Sequence, residues 1–292
     1  MPMRASPAPR LSLLQARDAD VAVIFRRGPS KWVEVIRWDT HRDVFEHGHW
    51  FHGRIYERRC DLSPDGQHLI YFVSKFSGRT IEDEDYTYAW TAVSRPPWLT
   101  ALALWPKGNC WWGGGQFLNN RRLLLNHRPD EATPHPNHKP PVALSVEPNP
   151  DARGEDDPLY STRLTRDGWI VTQIWDWRPP TRWDEGFTTI TPEHRDRVHR
   201  NGLISIRMER SLSGYRYRER FEILHAGGAG APDLTGVDWA DWDRAGRLIF
   251  LRAGAVWAAS VNATRIESPR QLIDLTADKV STRESPPHAR QW

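Results

Sequence analysis

Apolar and β-branched residues occur along the chain in short runs, each preceded by a cluster of turn-forming residues. In residues 59–73, a Ser63-Pro64-Asp65-Gly66 turn leads into Leu69-Ile-Tyr-Phe-Val73. Proline presets one turn dihedral, glycine supplies positive φ, and the following run suits a pleated, buried strand. Similar strand–turn–strand units occupy residues 163–172 and 239–251, with weaker ones at 116–125 and 16–25. Their turn centres lie roughly 46, 54, 48 and 78 residues apart, close to the spacing of propeller blades except for the last. Within the long gap, residues 202–208 and 215–224 read as two further strands of an enlarged fourth blade. A sixth, degenerate blade is the alternative.

The pattern predicts one all-β domain over residues 1–292, a β-propeller of about five four-stranded blades with long loop insertions. Each blade buries its two apolar faces against neighbours, which a lone small sheet cannot do. Residues 11–14 are expected to open the first blade and residues 270–275 to form the outer strand of the last. Ring closure is expected to combine strands from both chain ends in one blade. Residues 277–292 read as a strap or tail. Residues 128–158 read as a long loop with a short strand at 142–146, and residues 179–200 as a charged insertion. A helix is expected over residues 192–198, with Thr191 as N-cap and Pro192 at the first helical position.

The Ser63-Pro64-Asp65-Gly66 turn with its apolar strand resembles the WD40-like repeats of TolB-type β-propellers. That resemblance implies four-stranded blades around a central channel. Residues 26–32, 53–66 and 104–115 also make the chain similar to a family of uncharacterised bacterial propeller-like proteins, a likeness that implies no activity.

Composition narrows the class. Pro 23 and Gly 20 leave few stretches long enough for a helix of several turns, and Trp 16 supplies large rings that must pack or bind. A formal charge of +3 is too small to imply nucleic acid by itself. Two cysteines make no disulfide framework, and neither a leader nor a membrane-spanning run is evident. A cytoplasmic location is the expectation.

Candidate chemistry is sparse, and no cofactor or metal motif is expected to operate. On a strand, His47 and His49 would share a face, but local spacing fixes no acidic partner and they read as ordinary surface residues; His135 and His138 read similarly. Asp241 and Asp243 would share a strand face as an acid/base or cation pair. The simpler reading gives Asp243 to a turn and leaves Asp241 facing a solvated channel. Glu82-Asp-Glu-Asp85 reads as a solvated charge run. Cys110, before Trp111-Trp112 and three glycines, reads as a sharp turn rather than a nucleophile. In residues 215–221 the aromatics and arginines alternate, as in an outer strand whose arginines protect an exposed edge.

The residues best suited to binding are Arg26, Arg27, Lys31, Trp32, Arg54, Tyr56, Arg58 and Lys107, which mix arginine with aromatics at proposed turns and strand ends. They favour a non-enzymatic platform for another protein, as one component of a bacterial multi-protein system. The alternatives are a nucleic-acid-binding module on the same basic and aromatic face, and an enzyme with a channel-mouth site.

Overall fold

The computed structural model describes residues 7–28, 30–151, 154, 156–157, 159–175, 192–213, 216–227 and 231–292. The chain is all-β and built of β-propeller blades, five successive sheets in chain order. They fall into two compact units, Met1–Tyr160 with Ala277–Trp292, and Ser161–Thr276. No described helix is long and apolar enough to cross a membrane.

In the first unit, β1 (Arg10–Gln15), β2 (Val21–Arg27), β3 (Trp32–Asp39) and β4 (Val44–His52) form an antiparallel up-and-down sheet. The second sheet has a split first strand, β5 (Arg54–Ile55) and β6 (Asp61–Leu62), both pairing with β7 (Leu69–Ser74). Outside β7 lie β8 (Ala89–Ser94) and β9 (Ala103–Pro106), with α1 (Gly78–Ile81) between β7 and β8.

Strand β7 shows how the sheets cohere. Alternate side chains point to opposite faces of a strand. Leu69, Tyr71 and Val73 pack with Val23, Phe25, Val33 and Val35 of the first sheet. Ile70, between them, packs with Phe117, Leu123 and Leu125 of the third. All of these are buried, and each large apolar side chain removed from water contributes about 1.5–3 kcal/mol.

The turn before β7 forms as its residues dictate. Ser63 Oγ donates to Asp65 Oδ1 (2.6 Å) and accepts from His68 N (2.9 Å), while Gly66 takes φ +69°. The same logic recurs in the last sheet. There Asp243 Oδ1 accepts from Arg247 N (2.8 Å) and Gly246 takes φ +83°.

The third sheet departs from expectation. It has three strands, β10 (Gly115–Asn119), β11 (Arg122–Leu125) and β12 (Ser145–Pro148), and β12 runs parallel to β11. The strand expected at 142–146 therefore begins at Ser145, and the preceding Val142 is fully exposed.

The helix α2 (Leu159–Arg166) begins at the end of the first unit's main segment, and the second unit continues with β13 (Trp169–Ile174), β14 (Glu193–Val198), β15 (Ser205–Ser213) and β16 (Arg216–Leu224). Residues 163–166 are thus helical rather than the first strand of a repeat, with Tyr160 and Leu164 one turn apart and buried. The helix expected over 192–198 is strand β14, hydrogen-bonded to β13 and β15 on its two sides. Two ladders outweigh a local start signal, and charged residues of the segment are paired inside the sheet. Arg195 Nε and Arg210 Nη1 each lie 2.6 Å from Glu193 Oε1. Thr191, the expected cap, lies outside the described residues, as do 176–190 of the charged insertion.

The fifth sheet comprises β17 (Trp239–Trp242), β18 (Leu248–Arg252) and β19 (Ala255–Ala259). A small hairpin, β20 (Val261–Asn262) and β21 (Arg265–Ile266), leads to its outer strand, β22 (Arg270–Asp274). No described sheet combines strands from the two chain ends. Instead, residues 277–292 lie along the first unit, where Ser285 bonds Thr100, Arg95 Nε donates to Gln291 O (3.1 Å), and Trp292 meets the His68 ring.

Gly114 has φ +80°, and a Cβ there would lie 1.9 Å from the Arg59 carbonyl oxygen. We expect Gly114→Ala to destabilise the protein by about 2–4 kcal/mol in urea unfolding. Gly78→Ala, in open space at the start of α1, should change stability by less than about 1 kcal/mol, towards stabilisation.

Candidate functional site on the strand ends of the first unit

Antiparallel pairing brings alternate strand ends to one side of each sheet. Arg27 ends β2, Trp32 begins β3 and His52 ends β4. In the second sheet, Arg54 pairs with Ser74, and Ser74 with Ala89. The two sets of ends are joined directly, because Gly53 N donates to Lys31 O (2.8 Å) and Arg27 Nη2 to Ile55 O (2.7 Å).

Beneath this rim lies an aromatic floor. Tyr56, Phe72 and Ala89 are buried together, with Tyr88 and Cys110 packed against them. Tyr56 lies 4.8 Å from Phe72 between ring centres, and burial together with Cys110 pushes its hydroxyl pKa up. Arg54 is exposed and stacks 4.4 Å over Tyr56. Further out, Arg58 lies over Tyr160 and Arg128 over Trp112, and Phe76 packs tilted against Tyr88 at 4.9 Å. Trp111 is 57% exposed and Phe76 64%, unusual for rings of that size.

The group that ties this region together is Arg59. It is buried, lies over both Tyr56 and Phe72, and binds Asp156 Oδ1 through Nε (2.8 Å). Its Nη1 donates to the carbonyls of Cys110 (3.0 Å) and Trp112 (2.6 Å). Cys110 thus belongs to a sharp turn, completed by positive φ at Trp112, Gly113 and Gly114. Arg59 is not among the residues that the sequence singles out, because its partner Asp156 lies far away in the chain.

The sequence-selected residues divide. Arg27, Lys31, Trp32, Arg54, Tyr56 and Arg58 lie on this rim or its floor. Lys31 is exposed, and Trp32 packs on His52 at 4.6 Å. Arg27 is paired with Glu57 (Nε–Oε1 3.1 Å). Lys107 follows β9 at the same end but is buried on Glu131. Arg26 is buried, donates to Gly28 O and Asp278 O, and lies over Trp50. Neither Arg26 nor Lys107 presents its charge at the surface.

No family model matches the chain, and no curated protein is significantly similar to it.

Asp241 does not face a solvated channel. It is buried, accepting from Trp169 Nε1 (3.3 Å), Arg197 Nε (3.2 Å) and Trp242 N (2.7 Å), and burial pushes its carboxyl up to about 6 against the pull of Arg197. Asp243 is held by Arg247, whose Nε lies 2.7 Å from Oδ2. Structural donors thus occupy both carboxylates. Asp85 reaches His135, which stacks on Tyr86 at 4.2 Å, and Tyr86 bonds His138 (3.3 Å).

The histidines of β4 take separate partners. His49 Nδ1 accepts from Leu99 N (3.1 Å). His47 Nδ1 lies 3.0 Å from Glu34 Oε1 and 3.5 Å from Asp278 Oδ2. A bulge in the β3–β4 register pairs Glu34 with Trp50 and Ile36 with His47, which puts His47 on the face of Glu34. The acidic partners that local spacing could not supply come from β3 and the C-terminal segment. Glu34 holds the His47 pKa up.

A buried relay stands beside the floor. Gly114 N donates to Thr91 Oγ1 (2.8 Å), Thr91 Oγ1 lies 2.8 Å from His127 Nε2, and His127 Nδ1 lies 3.0 Å from Glu131 O. Neutral His127 satisfies both contacts, with Nδ1 donating and Nε2 accepting. Burial lowers its pKa to about 4. Below the ordinary value of 6.5 the unfolded chain binds the extra proton, so stability falls as pH drops towards 4. We expect this residue to account for a loss of up to about 3 kcal/mol over that range, and for the slope to shrink in His127→Gln when unfolding is followed against pH.

Proposed function

We propose that the chain is a non-enzymatic protein-interaction platform whose working surface is the rim around Arg54, Trp111 and Phe76. One observation carries this reading: exposed aromatic rings and stacked arginines sit at one end of the sheets over a rigid, buried floor. Tyr, Trp and Arg on a pre-ordered base are the side chains that dominate protein interfaces, because they bury much area at little entropic cost.

The nucleic-acid reading finds less support. Binding to a polyanion needs cations whose charge is not already spent. On this rim Arg27, Arg59 and Lys107 face Glu57, Asp156 and Glu131. The enzyme reading would need convergent groups that structural bonds have left unoccupied.

The platform reading extends to a cytoplasmic setting and a bacterial multi-protein system. Two cysteines outside any disulfide suit a reducing compartment, and the Ser63-Pro64-Asp65-Gly66 turn supports the likeness to TolB-type repeats.

The test is a quantitative pull-down from native lysate with tagged wild-type protein and the double variant Trp111→Ala/Phe76→Ala. Val142→Ser, beside the opposite end of the third sheet, serves as the control. We expect a stoichiometric protein partner that the control retains and the double variant loses at least tenfold, with unchanged thermal unfolding. Equal retention by all three, or capture of nuclease-sensitive material alone, rejects the platform surface.

A further inference from the structure

We propose that Glu34, His47 and Asp278 form a binding site for a divalent transition-metal cation, which staples the C-terminal segment to the first sheet. The three residues come from β3, β4 and the segment after β22, and their donor atoms all lie within 4.8 Å of one another. His47 Nδ1 is 3.0 Å from Glu34 Oε1 and 3.5 Å from Asp278 Oδ2. A cation with bonds of about 2.0–2.2 Å to nitrogen and oxygen sets neighbouring donors about 3.0–3.6 Å apart, in octahedral or tetrahedral geometry. Those two edges therefore already have the length of a coordination polyhedron.

A second observation points to a missing positive group. Glu34 is 1% exposed, and its Oε2 has no hydrogen-bond partner among the described residues. Asp278 Oδ2 is likewise buried without one. A buried acceptor left without a donor is costly, and two neighbouring carboxylates more so. Two arginines flank these carboxylates without a hydrogen bond to Glu34 Oε2 or Asp278 Oδ2. Arg283 Nη1 reaches only Glu34 Oε1 (3.1 Å) and the Gly48 carbonyl (3.1 Å). Arg26 lies close enough to both carboxylates to attract them, donates to the carbonyls of Gly28 and Asp278, and lies over Trp50. Arg283 fits the role of an outer partner that orients a ligating carboxylate.

The donor set selects the metal class. One imidazole and two carboxylates suit manganese, iron, cobalt or zinc, whereas calcium and magnesium prefer oxygen alone. His47 is partly exposed, which gives the ion a way in. A bound cation would bridge two strands of the first sheet to residues 277–292, adding a fixed point beside the Ser285 and Trp292 contacts.

The test uses the full chain, stripped with chelator and titrated calorimetrically with Mn²⁺, Co²⁺ and Zn²⁺ chlorides. We expect one equivalent of at least one of these ions to bind. His47→Gln and Asp278→Asn should each weaken binding at least tenfold, and the ion should slow trypsin cleavage at Lys279 severalfold in wild-type protein. Absence of saturable binding, or binding that both variants retain, overturns the site. Should either variant fail to unfold cooperatively, the decision passes to wild-type protein treated with diethyl pyrocarbonate and mapped by mass spectrometry. Protection of His47 by the ion supports the site, and modification at an unchanged rate overturns it.

Discussion

The buried guanidinium of Arg59 is the constraint on which the first unit's working end depends. A charge removed from water is tolerable only where its donors find partners, and here Asp156 takes Nε and two backbone carbonyls take Nη1. Those carbonyls belong to Cys110 and Trp112, so the ion pair also fixes the turn that presents Trp111. The Arg59 carbonyl in turn abuts Gly114, which leaves no room for a side chain there. The rings of Tyr56 and Phe72 lie against the same guanidinium. One residue thus joins the split first strand of the second sheet, the glycine turn before the third sheet, and the aromatic floor between them.

The second unit meets the same demand with different residues. Glu193, Arg195 and Arg210 are buried together on neighbouring strands, and Asp241 is held by Trp169 and Arg197. This explains how a chain with 40 basic and 37 acidic residues can be all-β and still bury much of each sheet. Many of its charges are internal fastenings rather than surface decoration. A basic cluster in this sequence is therefore weak evidence for an anionic ligand until its partners are known.

The rim and the cluster around Glu34 differ in this respect. On the rim, buried cations have found their anions, and what remains outside is aromatic surface with arginine stacked on it. Around Glu34, buried acceptors outnumber the donors that reach them. The first arrangement suits a partner that covers rings, and the second suits a small cation.

The blades and their tightest turns were legible because they are local. The continuous apolar run of Leu69–Val73 and the Ser63-Pro64-Asp65-Gly66 hydrogen bonds need only neighbours in sequence, as do the last sheet's Asp243 and Gly246. Local signals failed where a second strand could overrule them. Glu193–Val198 became a strand between two ladders, and Ser145–Pro148 paired in parallel with a strand some twenty residues earlier in the chain. The binding candidates Arg27, Arg54, Tyr56 and Arg58 were readable as arginine and aromatic residues at strand ends. That Arg26 and Lys107 are buried was not, since each depends on an acceptor elsewhere in the chain. Most strands, the tight turns and the residue types at their ends could be read along the chain, because they follow from backbone sterics and short-range hydrogen bonds. Only the tertiary structure decided which charges cancel, which rings stay exposed, and that Glu34, His47 and Asp278 meet, because desolvation and ion pairing act between residues far apart in the chain.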